Sequence, residues 1–166
     1  MNSVEPWSSL DNRAGLLIDT NLLVLFVVGT VNPDRISNFK RTSRYTHSDF
    51  DLLCRVIGYF TPLYTLPHVM AEVSNLTDMT GPERLMARLV LKAALETLQE
   101  PAVPSILACQ NGYYQRLGLV DAAIAAASQE QRCAVLTDDL DLYVALAQQG
   151  TAVFNFAHLQ AANWGL

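Results

Sequence analysis

The stretch Gly15-Leu-Leu-Ile-Asp-Thr-Asn-Leu-Leu-Val-Leu-Phe-Val-Val-Gly29 decides how the chain is read. Leu16 to Ile18 is a short apolar run. It is too short for a helix and suits a strand buried on both faces of a parallel sheet. Asp19 closes the run, Thr20 and Asn21 follow, and apolar residues resume at Leu22, Leu23, Val24, Leu25 and Phe26, the composition of a buried helix. Ligands of open α/β sheets bind beyond the carboxyl ends of the strands, and that is where this reading puts Asp19. A carboxylate buried there needs a cation, a proton or hydrogen-bond donors. It can also serve simply as the N-cap of the helix that follows. The rest of the chain separates these two roles.

Outward from this stretch, strands and helices alternate. Ser48 to Phe60 has apolar residues at Leu52, Leu53, Val56, Ile57 and Phe60, a helical period, and Ser48 with Asp51 resembles a capping box. Leu63 to Leu66 reads as a second strand, and Pro67 suits the first position of a helix carrying Glu72. Glu83 to Gln99 has the pattern of a long amphipathic helix, and Ser105 to Cys109 reads as a short strand or turn. After a short helix opened by Asn111-Gly112, Asp121 begins an alanine-rich helix up to Glu130. Cys133 to Thr137 is a third buried strand that runs into Asp138 and Asp139, with a helix from Leu142 to Gln149. Thr151 to Phe156 is a last strand, followed by a terminal helix over Ala157 to Asn163. The alternation predicts a three-layer α/β/α domain around a central, mainly parallel sheet.

Composition narrows the class. The 166 residues make one domain, residues 1–166, with Met1 to Arg13 as a loose arm. Hydrophobic residues make up 51% and charged residues 16%, which fits a compact α/β domain or an obligate oligomer. A net charge of −5 argues against a bulk nucleic-acid binder but leaves room for local basic clusters. Cys54, Cys109 and Cys133 are far apart and lack CxxC spacing, which excludes a zinc ribbon or disulfide framework and suits a reducing cytoplasm. The run from Leu16 to Val28 is too short to span a bilayer, so no membrane is expected.

The acids carry the chemistry. The first strand leads into Asp19, the second into a helix with Glu72, and the third into Asp138 and Asp139; Asp121 opens the alanine-rich helix among apolar neighbours. In a parallel sheet these groups can converge at one end. Converging carboxylates repel and raise one another's pKa unless a cation neutralises them. Mg²⁺ and Mn²⁺ are the natural occupants of an all-oxygen site. Each acid taken singly has a plain structural reading as an N-cap, a turn residue or a solvated helix residue.

In this order the pieces Leu17-Ile-Asp-Thr-Asn21, Pro67-His-Val-Met-Ala-Glu-Val-Ser-Asn75, Leu117-Gly-Leu-Val-Asp-Ala-Ala-Ile-Ala125 and Val135-Leu-Thr-Asp-Asp-Leu-Asp-Leu142 resemble the PIN domain family of metal-dependent ribonucleases. That family includes the VapC-type toxins of toxin–antitoxin pairs. The resemblance spans roughly residues 15 to 156. It implies an endoribonuclease using Mg²⁺ or Mn²⁺, with Asp19, Glu72, Asp121 and Asp139 as catalytic metal ligands and Asp141 as an accessory acid. It further implies Thr20, Asn21, Thr137 and Asp138 as residues that orient carboxylates or the substrate phosphate. RNA is the implied substrate and an antitoxin protein an implied partner; the apolar excess of the helices fits a dimer face between two copies of the chain or an antitoxin groove. The chain departs from a typical VapC toxin in its extra length, which enlarges the basic Val31–Thr46 segment, and in its acidic balance.

Within that segment Lys40, Arg41 and Arg44 are expected to hold RNA phosphates and Tyr45 to stack on a base; the plain alternative is a solvated loop. An aspartyl-phosphate phosphatase would want an acid where Asn21 stands and a late lysine, whereas the only lysines are Lys40 and Lys92. A catalytically idle PIN-like binding module is the remaining rival. His47, His68 and His158 show no ligand spacing and read as surface or satisfied side chains.

Overall fold

Leu16, Leu17 and Ile18 are all buried and form β1 (Leu16–Ile18). They pair with β2 (Leu63–Tyr64) on one side and β3 (Ala134–Thr137) on the other, and β3 pairs with β4 (Val153–Asn155). All pairings are parallel, in the order β2-β1-β3-β4. Parallel strands need crossovers of a dozen or more residues, and helices supply them, giving the three-layer α/β/α architecture expected. These observations come from a computed structural model that describes residues 5–164.

The helices are α1 (Thr20–Val31), α2 (His47–Tyr59), α3 (Pro67–Leu76), α4 (Pro82–Thr97), α5 (Ser105–Gln110), α6 (Tyr114–Leu117), α7 (Leu119–Gln131), α8 (Leu140–Gln148) and α9 (Phe156–Asn163). α1 is apolar nearly all round, so it must be covered on several sides, and α2, α3 and α4 all pack against it. Pro67 and Pro82 occupy the first position of their helices, where the missing N–H costs nothing. One contiguous apolar core runs through β1, α1, β3 and the alanines of α7. Among the described residues no helix is long and apolar enough to cross a membrane.

The structure corrects the sequence reading in four places. Of the arm expected to be loose, residues 5–13 are docked; residues 1–4 lie outside the described part. Trp7 is only 2% exposed and belongs to the core, and the Tyr59 hydroxyl donates to the Ser8 and Leu10 carbonyls. Ser105–Gln110 is helical rather than extended, because α5 packs against the small-residue surface of α7 and buries Ala108 there. The capping box of α2 is Thr46 with Asp49, two residues before the expected pair: Thr46 Oγ1 accepts the Asp49 N–H at 3.2 Å and Asp49 Oδ2 accepts the Thr46 N–H at 2.7 Å. The Val31–Thr46 segment is folded into a 3-10 turn at Pro33–Arg35 and successive turns, with Ile36, Thr42 and Tyr45 buried. Glu83 of α4 ties it down, forming an ion pair with Arg35 at 3.1 Å and accepting from Asn32 Nδ2 at 3.4 Å.

The docked arm yields a direct test. Trp7→Ala removes a buried indole and is expected to lower unfolding stability by about 3 kcal/mol in denaturant melts. A loose arm would leave the midpoint unchanged.

Candidate functional site

The chain builds β2 on one side of β1 and then crosses to β3 on the other side. The crevice between the carboxyl ends of β1 and β3 is therefore the topological switch point, the place where open α/β sheets form ligand sites. Asp19 follows β1 there, its N–H donating to the Leu136 carbonyl of β3 at 3.0 Å. Its carboxylate is 4% exposed. Oδ1 accepts the Thr20 N–H at 2.6 Å and Oδ2 accepts the Thr137 hydroxyl at 2.6 Å. Asp19 thus caps α1 and stands at the carboxyl end of β1, beside the switch point.

The neighbouring acids are placed by the elements that carry them. Thr20 Oγ1 donates to Glu72 Oε2 at 3.1 Å, linking the start of α1 to the exposed face of α3. Thr137 Oγ1 accepts the Asp139 N–H at 3.0 Å, so its own proton is directed to Asp19. Asp139 caps α8 by accepting the Leu142 N–H at 3.0 Å on Oδ1, which leaves Oδ2 uncommitted among the described residues. Asp121 is half-buried in the first turn of α7. Asp141 is exposed one residue inside α8, and no hydrogen bond or ion pair among the described residues joins it to the others.

Electrostatics ties the set together. The Asp19 carboxyl is pushed up to about 7, first by burial and then by Asp121 and Asp138, with the Thr137 hydroxyl and the Thr20 N–H pulling the other way. Asp121 is also pushed up to about 7, first by burial and then by Asp139 and Glu72. Asp19, Glu72, Asp121, Asp138 and Asp139 therefore sense one another at one edge of the sheet. They do not touch: among the described residues no three acids, histidines or cysteines stand close enough to form a ready ligand set. Their donor chemistry is all carboxylate oxygen, which fits a hard divalent cation. A cation would also relieve the repulsion that burial has concentrated there. Each histidine has a partner outside this set, His47 with Asp51, His68 with Ser105 and His158 with the Tyr143 ring.

Asp138 differs from the other acids. Its charge is met by a base: the side chain is 7% exposed and both oxygens are engaged, one of them by Arg44. Oδ1 accepts from Asn21 Nδ2 at 3.2 Å, and Oδ2 accepts from Arg44 Nη2 and from the Tyr45 hydroxyl. Arg44 Nη2 also donates to the Tyr45 oxygen at 2.9 Å. This pairing joins segments 94 residues apart, and no local pattern in the sequence announces it. It also corrects the expected role of Tyr45. The ring is 4% exposed, meets Phe156 edge-on at 6.3 Å, and has its hydroxyl held by Asp138, so it offers no face to a base. Burial and then Asp138 raise the Tyr45 phenol well above its ordinary value, which keeps it a donor. Lys40 and Arg41 are exposed with no ion pair among the described residues.

The raised carboxyl values fix a pH dependence. A folded-state value near 7 against 3.8 unfolded means that the native, metal-free protein binds more protons across this interval. Stability contributed by the protonated Asp19 is then fully present below about pH 4 and is lost as pH rises from there through about 7. For Asp19 the loss amounts to as much as about 4 kcal/mol. Thermal melts in EDTA should show Tm falling from pH 5 to pH 8, and Asp19→Asn should flatten that slope. A Tm that rises over this range would contradict the crowded-acid description.

No protein-family model matches the chain and no curated protein matches it, so the chemistry of the site itself carries the functional reading.

Proposed function

We propose that the protein is a Mg²⁺- or Mn²⁺-dependent endoribonuclease of the PIN kind, hydrolysing RNA phosphodiester bonds at the switch-point crevice. The observation that carries the reading is the gathering of Asp19, Glu72, Asp121 and Asp139 at the carboxyl edge of the sheet, with Asp19 and Asp121 both pushed up to about 7. Acids with only a local capping or surface role would have no reason to lie within electrostatic range of one another.

Asp19, Glu72, Asp121 and Asp139 would hold the cation, with Asp141 beyond them as the accessory acid. A divalent ion bound there polarises a phosphoryl oxygen and lowers the pKa of a nearby water. Thr137 and the Thr20 N–H hold the Asp19 carboxylate in one orientation, and the Thr20 hydroxyl does the same for Glu72. In the reaction the oxygen of a water adds to phosphorus, the P–O ester bond breaks, and the departing oxygen takes up a proton while the water loses one. Lys40 and Arg41 stand exposed to meet neighbouring phosphates electrostatically. Exposed Leu85, Met86 and Leu89 on α4 support a protein partner, either an antitoxin or a second copy of the chain. A cytoplasmic location follows from an RNA substrate and unpaired thiols.

Asp19→Asn keeps size and shape but removes a charge and weakens a hard-cation ligand. Cleavage of single-stranded and structured RNA in Mn²⁺ should fall by orders of magnitude, while stability in EDTA should hold or rise. A purely capping Asp19 predicts the reverse: a loss of about 1 kcal/mol with activity untouched. A wild-type protein that neither gains stability from Mn²⁺ nor cleaves any RNA would return the chain to the idle binding module.

A further inference from the structure

The crevice that would receive an RNA phosphate is lined by carboxylates, and a polyanion approaching it is repelled unless a fixed cation faces it. Arg44 is the cation built into the crevice. Its side chain remains 57% exposed although one end is held by two buried groups, Asp138 and Tyr45. A guanidinium has five N–H donors in a planar fork. Nη2 serves Asp138 and Tyr45, whereas Nη1 and Nε make no hydrogen bond among the described residues. Burial works against the charge on Arg44, but Asp138, Tyr45 and Asp19 outweigh it and hold the group firmly protonated. Asp19 is thus within electrostatic reach of the same guanidinium.

Asp138 is the acid whose charge is already met by a base. Its two oxygens already accept from Asn21, Arg44 and Tyr45, and its side chain is almost wholly enclosed. The phenol of Tyr45 is anchored in turn by its ring against Phe156. The arrangement is an arginine fastened at one tip, with its remaining donors uncommitted among the described residues and more than half of its side chain exposed. An open guanidinium edge of fixed orientation matches the paired oxygens of a phosphate, which a lysine cannot do bidentately.

We propose that Arg44 binds the reacting phosphodiester directly, and that Asp138 and Tyr45 are positioning residues that hold its guanidinium at the crevice. This rests on the ribonuclease reading and extends it by giving the site an arginine supplied by its own chain. As water adds to phosphorus, negative charge grows on the non-bridging oxygens, and a guanidinium already in place stabilises it without reorganisation. Asn21 completes the device by holding the other oxygen of Asp138.

The test compares Arg44→Gln, Arg44→Lys, Arg44→Ala, Asp138→Asn and the Arg44→Gln/Asp138→Asn double variant. Each is measured for cleavage of a single-stranded RNA in saturating Mn²⁺ and for binding of the same RNA in EDTA across a salt series. Arg44→Gln should lower kcat on the order of a hundredfold and reduce the slope of log affinity against log salt by about 0.7. Arg44→Lys should keep the salt slope and the stability yet recover only part of kcat. Millimolar guanidinium should restore activity to Arg44→Ala. Asp138→Asn should lower kcat similarly while leaving the salt slope intact, since the charge of Arg44 remains, and the double variant should be no worse than Arg44→Gln. Unchanged kcat in Arg44→Gln, with a raised Mn²⁺ requirement in Asp138→Asn, would overturn the proposal and make Asp138 a metal ligand with Arg44 as its counter-ion. Activity losses that only track lowered Tm, with no guanidinium rescue, would reduce the pair to a structural bridge. A wild type without metal-dependent cleavage overturns the ribonuclease reading and this inference together; an active wild type indifferent to Arg44 overturns this inference alone.

Discussion

One carboxylate organises this protein. Asp19 sits where β1 ends and α1 begins, almost wholly buried, with one oxygen on the Thr20 N–H and the other on the Thr137 hydroxyl. A charge in that position is tolerable only where donors converge on it. The donors come from the start of α1 and the end of β3, the two elements that flank the switch point. The interaction therefore joins sheet topology to local helix capping. Thr137 carries the link further, because the same hydroxyl that donates to Asp19 accepts the N–H of Asp139. One side chain thus sets the relative placement of two acids 120 residues apart in a sheet held by very short strands.

The acids around Asp19 divide into two kinds. Asp19, Glu72, Asp121 and Asp139 keep oxygen lone pairs free of basic partners, and burial plus mutual repulsion raises Asp19 and Asp121 toward neutrality. Perturbed carboxyls in a crevice are a common mark of a functional site, though structural networks can produce them too. Here no hydrogen bond or ion pair from a basic side chain among the described residues offsets the perturbation, although Arg44 lies within electrostatic reach of Asp19. Asp138 is the other kind. Arg44, Tyr45 and Asn21 satisfy it completely, and it behaves as the anchor of the basic segment rather than as a free ligand. Two adjacent aspartates in one turn therefore do different work, because one side chain points to a fold-spanning salt bridge and the other to the cap of α8.

The basic segment, read from composition alone, is a solvated loop with four cations. In the structure it is a folded strap. Ile36, Thr42 and Tyr45 are buried, Glu83 holds Arg35, and Asp138 holds Arg44. Lys40 and Arg41 reach solvent unpaired among the described residues, whereas Arg35 and Arg44 are partly exposed and tied to Glu83 and Asp138, a more directed basic surface than the sequence suggested. An acidic protein can in this way present a local patch of positive charge without a basic surface overall.

How far the sequence reached depends on the range of the interactions. The α/β alternation, β1, the proline starts of α3 and α4, and the place of Asp19 at the end of β1 were legible, because each follows from local periodicity or from the strand-end rule of parallel sheets. Capping-box position, the helicity of Ser105–Gln110 and the docking of Trp7 were not. They are decided by packing against α7 and the α2 side of the core, and short-range propensity is too weak to outvote such contacts. The burial of Tyr45 and the Arg44–Asp138 bridge lay furthest from view. A basic or aromatic residue in a polar stretch looks the same whether it faces solvent or a partner 94 residues away. Residue type determined which groups were capable of chemistry; only the tertiary structure decided which were left free to do it, since satisfaction of a charge depends on neighbours that the chain brings together by folding.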